Sequence, residues 1–239
     1  MKIKCVWFSN YIFTRFIIHQ LSLLKMPLIS TYKIENTTQI VLWRMSDADF
    51  KLKEILDLTP DEKKEISALT EKKQIEWITA RYLIKNLTGK KYTKDTHGKP
   101  HLIESDGHIS ISHSHDLLVV AISKKLIGVD IQYQTPRLKK MAWRVMNAEK
   151  FKHLDTSNEL LHLHIYWGAK EALYKAYGKR DLHFKNNMRV KPFLKLPTND
   201  THLQEVTTGT VVKNNFQKDF QIFFNRIDAY VLVIALEKI

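Results

Sequence analysis

Apolar residues recur at helical spacing downstream of Thr59-Pro60-Asp61-Glu62, at Ile66, Leu69, Ile75, Ile78, Tyr82 and Leu83. Positions three and four apart share a helix face, so this run predicts an amphipathic helix. Thr59 caps it, Pro60 suits its first turn, Glu62 stands where a capping box takes an acid, and Gly89 stops it. A basic loop from Lys90 to Pro100 follows. The period then changes. Gln39–Trp43, His108–Ser112, Leu117–Ser123 and Ile127–Tyr133 are short runs rich in Val and Ile with turn-like boundaries, and they predict strands. The second half repeats the order. Asn147-Ala148-Glu149 opens a short helix and Ser157-Asn158-Glu159 a longer one ending near Gly178, then Gln217–Asn225 and Tyr230–Glu237 read as strands. Helices followed by strands in both halves predict an α+β protein of two lobes. No Gly/Pro/Ser-rich linker separates them, so packed lobes with a site between them are expected, hinged near Ser123–Leu126.

The first residues break the pattern. They carry Lys2, Lys4, Arg15 and Lys25 without an acid, and Val6–Leu24 is apolar enough to suggest a signal peptide or anchor. Arg15, His19 and Gln20 interrupt that stretch, and no small-residue cleavage site follows. Met26-Pro27-Leu28 reads as an alternative start. Residues 1–25 are therefore expected to be an extension, 26–125 an N-terminal lobe and 126–239 a C-terminal lobe.

Composition narrows the function classes. With 239 residues, 44% of them hydrophobic, the chain has enough apolar surface for a sizeable core. Cys5 is the single cysteine, which excludes an internal disulfide framework and fits a reducing, cytoplasmic setting. A formal charge of +13 predicts an anionic partner.

The candidate chemistry lies in two segments. In Trp167-Gly168-Ala169-Lys170-Glu171-Ala172-Leu173-Tyr174-Lys175, helical spacing makes Glu171 and Lys175 neighbours, with Lys170 beside them. A carboxylate flanked by two ammonium groups suits a site holding a metal and a polyphosphate together. In Gly128-Val129-Asp130-Ile131-Gln132, strand alternation turns Asp130 and Gln132 to one side. The plain alternative is that Asp130 is a turn acid and Glu171–Lys175 an ordinary surface pair.

Together these segments resemble the 4′-phosphopantetheinyl transferase superfamily, whose hallmarks are G-[IV]-D-[IVL]-E and W-x-x-K-E-A-x-x-K. The second pattern is matched in full, and the first except at its last position, where Gln132 replaces the usual acid. The resemblance implies the larger single-chain type, two similar α/β lobes in pseudo-twofold arrangement with the site between them, and an expected monomer. It implies transfer of 4′-phosphopantetheine from coenzyme A to a serine of an apo acyl or peptidyl carrier protein, releasing 3′,5′-ADP. Asp130 and Glu171 would hold Mg²⁺ against the diphosphate, with Gln132 as a third, uncharged ligand. Glu171 would take the serine proton, Lys175 would stabilise developing charge, and Lys170 would share that duty or clamp phosphate. Trp167 is read as a packing anchor. His97-Gly98-Lys99-Pro100 and Ile111-Ser112-His113-Ser114 resemble shorter family elements, and with Arg81 they imply coenzyme A phosphate contacts at Arg81, Lys99, Ser112 and His113. An acidic carrier would meet a basic rim of Arg137, Lys139, Lys140, Arg144 and Lys150, unless these only solvate a helix face.

Three competitors are weighed. His113 and His115 at alternate strand positions suggest a zinc hydrolase, but a second aspartate–histidine pairing is missing, and His162 and His164 would diverge on a helix. A basic nucleic-acid binder fits the charge, but the chain carries no zinc-finger spacing and no aromatic RNA-binding signature. A transferase-like protein without activity has Gln132 alone in its favour.

Overall fold

The computed structural model describes residues 27–141, 154, 157–193 and 202–239. The N-terminal half runs β1 (Leu28–Ile34), β2 (Thr38–Arg44), a 3-10 helix (Asp47–Ile55), α1 (Pro60–Ser67), α2 (Glu71–Thr88), β3 (Tyr92–Lys94), β4 (Pro100–Leu102), β5 (His108–Ser114) and β6 (Leu117–Ser123). The second half runs β7 (Ile127–Tyr133), α3 (Arg137–Met141), α4 (Glu159–Tyr177), β8 (Met188–Val190), β9 (Gln204–Lys213), β10 (Phe216–Ile227) and β11 (Tyr230–Glu237). The strands form two antiparallel sheets, ordered β1-β2-β6-β5-β4-β3 and β7-β11-β10-β9-β8. The chain is therefore α+β, and the Ser123–Leu126 connection carries it from one sheet to the other. The expected extension, the helix opening at Asn147, and Arg144 and Lys150 lie outside the described residues.

Strand alternation explains the layering. On β6, Leu118 and Val120 join a core with Trp77, Ile78, Leu83 and Ile84 of α2. Leu117, Val119 and Ala121 point the other way, against Ile127, Val129 and Ile131 of β7 and Leu232, Ile234 and Leu236 of β11. Val231, Val233 and Ala235 of β11 face Ile165, Ala169, Ala172 and Leu173 of α4. The order of layers is thus α2, first sheet, second sheet, α4. β6 and β11 are covered on both faces, which is why they read as unbroken apolar runs.

The expected helix start is present. Glu62 N–H donates to Thr59 Oγ1 at 3.2 Å, and Thr59 N–H donates to a Glu62 carboxylate oxygen at 3.0 Å. The single helix expected up to Gly89 is corrected to two, because Ala68–Thr70 breaks it and α2 starts after Thr70, whose backbone is extended. The break brings Glu62 and Glu65 of α1 to Arg81 of α2, at 3.4 and 3.5 Å. The expected basic loop is also corrected, since Lys94 and Pro100 pair across a short hairpin. β1, β8 and β9 complete the sheets without having been expected. No helix among the described residues is long and apolar enough to cross a membrane.

Candidate active site

The two sheets meet along a seam of serines. β7 is an edge strand, and its outward N–H groups are not used by β11. Val129 N–H donates to Ser110 Oγ at 3.0 Å, Ile131 N–H to Ser112 Oγ at 3.2 Å and Tyr133 N–H to Ser114 Oγ at 3.1 Å. Alternate serines on one face of β5 thereby satisfy donors that burial would otherwise strand.

α4 packs unusually close to this edge. A Cβ on Gly128 would stand 1.8 Å from the Ala172 carbonyl oxygen and 2.7 Å from Ala176 N, and one on Gly168 would stand 2.6 Å from Val233 Cγ2. The two motif glycines are what let the helix lie on β7 and β11. That approach brings Lys175 to Asp130, with Nζ 2.9 Å from Oδ1.

Lys175 also donates to Ser112 Oγ at 2.7 Å and to the Val129 carbonyl at 3.0 Å. An ammonium has three donors, so all three are committed. Ser112 in turn donates to Asp130 Oδ1 at 3.2 Å. Asp130 is buried, and Glu171 one helical turn before Lys175 is partly buried. Burial, then the Asp130 charge, push the Glu171 carboxyl up to about 7 against a smaller opposing pull from Lys175. Asp130 and Glu171 thus lie near enough at the seam for the charge of one to act on the other. The described residues contain no group of three or more His, Cys, Asp or Glu arranged for a metal.

The remaining candidates make other contacts. Gln132 Nε2 donates to the His164 carbonyl at 3.0 Å, and its Oε1 lies 3.0 Å from His164 Nδ1. Lys170 is buried and donates to the Phe184 and Met188 carbonyls, on a different face of α4 from Glu171 and Lys175. Arg81 lies 3.3 Å from the Trp77 ring centroid and donates to Tyr92 Oη at 3.2 Å. Lys99 Nζ donates to the Ala176 carbonyl, and Arg180 Nε donates to the His97 carbonyl at 2.8 Å. The Gly98-Lys99 loop therefore fastens the C-terminal end of α4 to the first sheet. Trp167 packs on Phe184, with centroids 6.0 Å apart.

His113 is the most exposed of the expected phosphate contacts. It lines a cavity of about 330 Å³ with Lys73, Glu76, Trp77, Lys94 and Gly98, and its Nδ1 lies 3.4 Å from Glu76 Oε1. Lys73, Glu76 and Ala80 fall at helical spacing on α2, a pattern legible in the sequence once that face is known to be open. His115 diverges from His113. It adopts a left-handed backbone with φ 53° and packs its ring 4.9 Å from that of Tyr133.

Residues 126–234 match the family model of the 4′-phosphopantetheinyl transferase superfamily. This segment is a domain of that superfamily. The match runs from the start of β7 into β11, so it contains Asp130, Glu171 and Lys175 and the close contact of α4 with the seam. Superfamily membership makes the domain one of a phosphopantetheine-transferring kind. No curated protein matches the chain.

Proposed function

We propose that this chain moves the 4′-phosphopantetheine group of coenzyme A onto a serine hydroxyl of an acidic apo carrier protein, with release of 3′,5′-ADP. The observation that carries the proposal is the meeting of Asp130, Glu171 and Lys175. Two segments about forty residues apart put both carboxylates and the lysine at one seam of a phosphopantetheinyl transferase domain.

The donor set fits a hard divalent cation such as Mg²⁺. The charge of Asp130 hinders ionisation of Glu171, and a bound cation would relieve that repulsion. Asp130 and Glu171 would hold it, and when bound it supplies positive charge against the diphosphate.

The chain's own residues have distinct tasks. Glu171 takes the serine proton as the serine oxygen bonds to the β-phosphorus and the bond from that phosphorus to the 5′-phosphate oxygen of 3′,5′-ADP breaks. Lys175 acts through its charge and by holding Asp130 and Ser112, since its donors are committed. His113, half exposed at the cavity mouth, is placed to meet an anionic group of coenzyme A together with Lys73 and Lys94. Arg137, Lys139 and Lys140 sit on α3 just beyond β7 with their charges outward, although Lys139 pairs with Glu159, and they form a rim suited to an acidic partner.

The test is a release assay for 3′,5′-ADP with coenzyme A, Mg²⁺ and an apo acyl carrier protein. Release that requires the carrier supports the reading. Absence of release with several unrelated carriers contradicts it.

A further inference from the structure

We infer that Gln132 is a positioning residue that locks β7 to α4 through His164, and that the metal is held without it. The inference rests on the proposed assignment of Asp130 and Glu171 as the metal-holding pair. It departs from the family pattern, in which this position supplies a third acid.

The hydrogen-bond network ties both ends of the Gln132 amide to His164 and turns the side chain toward α4. Thr135 N–H lies 3.0 Å from His164 Nε2, closer than the 3.4 Å from Nε2 to the Thr135 carbonyl oxygen, and a backbone N–H only donates, so Nε2 is the accepting nitrogen. The ring is buried, and with Nε2 accepting, its proton is carried on Nδ1. Nδ1–H then donates to Gln132 Oε1, 3.0 Å away, while Gln132 Nε2 donates to the His164 carbonyl at 3.0 Å. This assigns the amide as well as the tautomer. One residue of α4 engages both ends of one side chain of β7.

Chemistry explains why an amide and not an acid occupies the position. A carboxylate would place its second oxygen against the His164 carbonyl, acceptor facing acceptor. The amide is also tightly enclosed, since a Cβ on Gly168 would stand 2.9 Å from Gln132 Nε2. Gln132, His164 and Gly168 are therefore a matched set.

Helical geometry connects this set to the candidate chemistry. His164, Gly168 and Glu171 fall at i, i+4 and i+7 on α4, one stripe of the helix. On β7, Gln132 and Asp130 share the facing side. Fixing His164 to Gln132 sets the register that places Glu171 opposite Asp130, about 10 Å along the helix.

The experiment titrates Mn²⁺, as a spectroscopically visible substitute for Mg²⁺, into the free protein. Wild type is compared with Asp130→Ala, Gln132→Ala, Gln132→Glu, His164→Ala, His164→Asn and the Gln132→Ala/His164→Ala double variant. Melting temperature, kcat and the KM for coenzyme A are measured alongside. Gln132→Ala and His164→Ala are expected to leave Mn²⁺ affinity within about twofold and to lower kcat about tenfold with little change in KM. The double variant should lose no more than either single one, because the two residues form one unit. His164→Asn, whose amide N–H stands in for Nδ1–H, should recover most of the loss. Gln132→Glu should not tighten Mn²⁺ and should melt below wild type.

Mn²⁺ weakened as much by Gln132→Ala as by Asp130→Ala would overturn the inference, as would tenfold tighter binding in Gln132→Glu with kcat retained. Additive losses in the double variant would overturn it too. Unchanged Mn²⁺ binding in Asp130→Ala would instead contradict the metal assignment, and the coupling between Gln132 and His164 in melting temperature would still decide whether the two form a lock.

Discussion

Lys175 Nζ lies 2.9 Å from Asp130 Oδ1, and its other two donors are held by Ser112 and the Val129 carbonyl. A largely buried carboxylate is thereby neutralised by a lysine that has nothing left to give. Lys175→Met strips the countercharge and leaves Asp130 buried beside one hydroxyl. Breaking a fully buried pair costs about 3–5 kcal/mol, and the partial exposure of the Lys175 side chain lowers the expected loss to about 2 kcal/mol. Transfer should fall ~100-fold or more, as for removal of one preorganised charge-stabilising group. Lys175→Arg should not rescue it, because a planar fork does not reach three acceptors converging on one point. Urea melts and turnover measured on the same preparations check both effects.

Glu171 gives a pH dependence of defined sign. Its carboxyl is held up at about 7 against an ordinary 4.5, so the folded state prefers it protonated. The associated stability is fully present below pH 4.5 and is lost as pH rises through about 7. In EDTA, Glu171→Gln should match wild type near pH 4.5 and exceed it by about 1–2 kcal/mol at pH 8.5, after allowance for partial exposure. Thermal melts at the two pH values measure this. An equal difference at both would show that burial and Asp130 do not act on Glu171 as described.

Gly128 should tolerate no side chain. Its added Cβ would meet backbone at 1.8 Å, and neither the strand nor α4 yields that much in a packed core. Gly128→Ala should cost about 3 kcal/mol or more, the upper end for overpacking. It should also lower transfer ~100-fold by moving Glu171 and Lys175 off Asp130. Calorimetry and kinetics report the two losses separately.

Ser110 tests the seam away from the chemistry. Ser110→Ala leaves the Val129 N–H buried without an acceptor, at a cost of about 1–3 kcal/mol. The KM for coenzyme A should stay at the wild-type value. A fall in stability with unchanged KM separates the seam's structural role from binding.

Much of this was legible in the sequence. β5, β6, β7, β11 and α4 combine clear apolar periodicity with firm boundaries, down to Asn158 and Gly178 flanking α4. β9 was not, because Gln204–Lys213 is a polar, Thr-rich run whose burial comes from β8 and β10 on either side. The break at Ala68–Thr70 was hidden because Leu69 and Ile75 keep helical spacing across it. Spacing also placed Glu171 and Lys175 together. It did not reveal which donors the fold already uses. Lys170, Lys99 and Arg81 look alike as cations in a sequence, yet here one ties down the Phe184 and Met188 carbonyls, one fastens the end of α4 and one stacks on Trp77. The alternating serines of β5 carried a signal for the seam, since three hydroxyls at period two on a half-buried strand need partners beyond their own sheet.

Intact-mass analysis of an apo acyl carrier protein tests the central claim most directly. The carrier is incubated with coenzyme A, Mg²⁺ and either wild type, Asp130→Ala or Glu171→Ala, each variant checked to be folded. The predicted result is a gain of one phosphopantetheine mass with wild type, lost on adding EDTA and absent with both variants. Transfer by either variant at close to the wild-type rate would contradict the account.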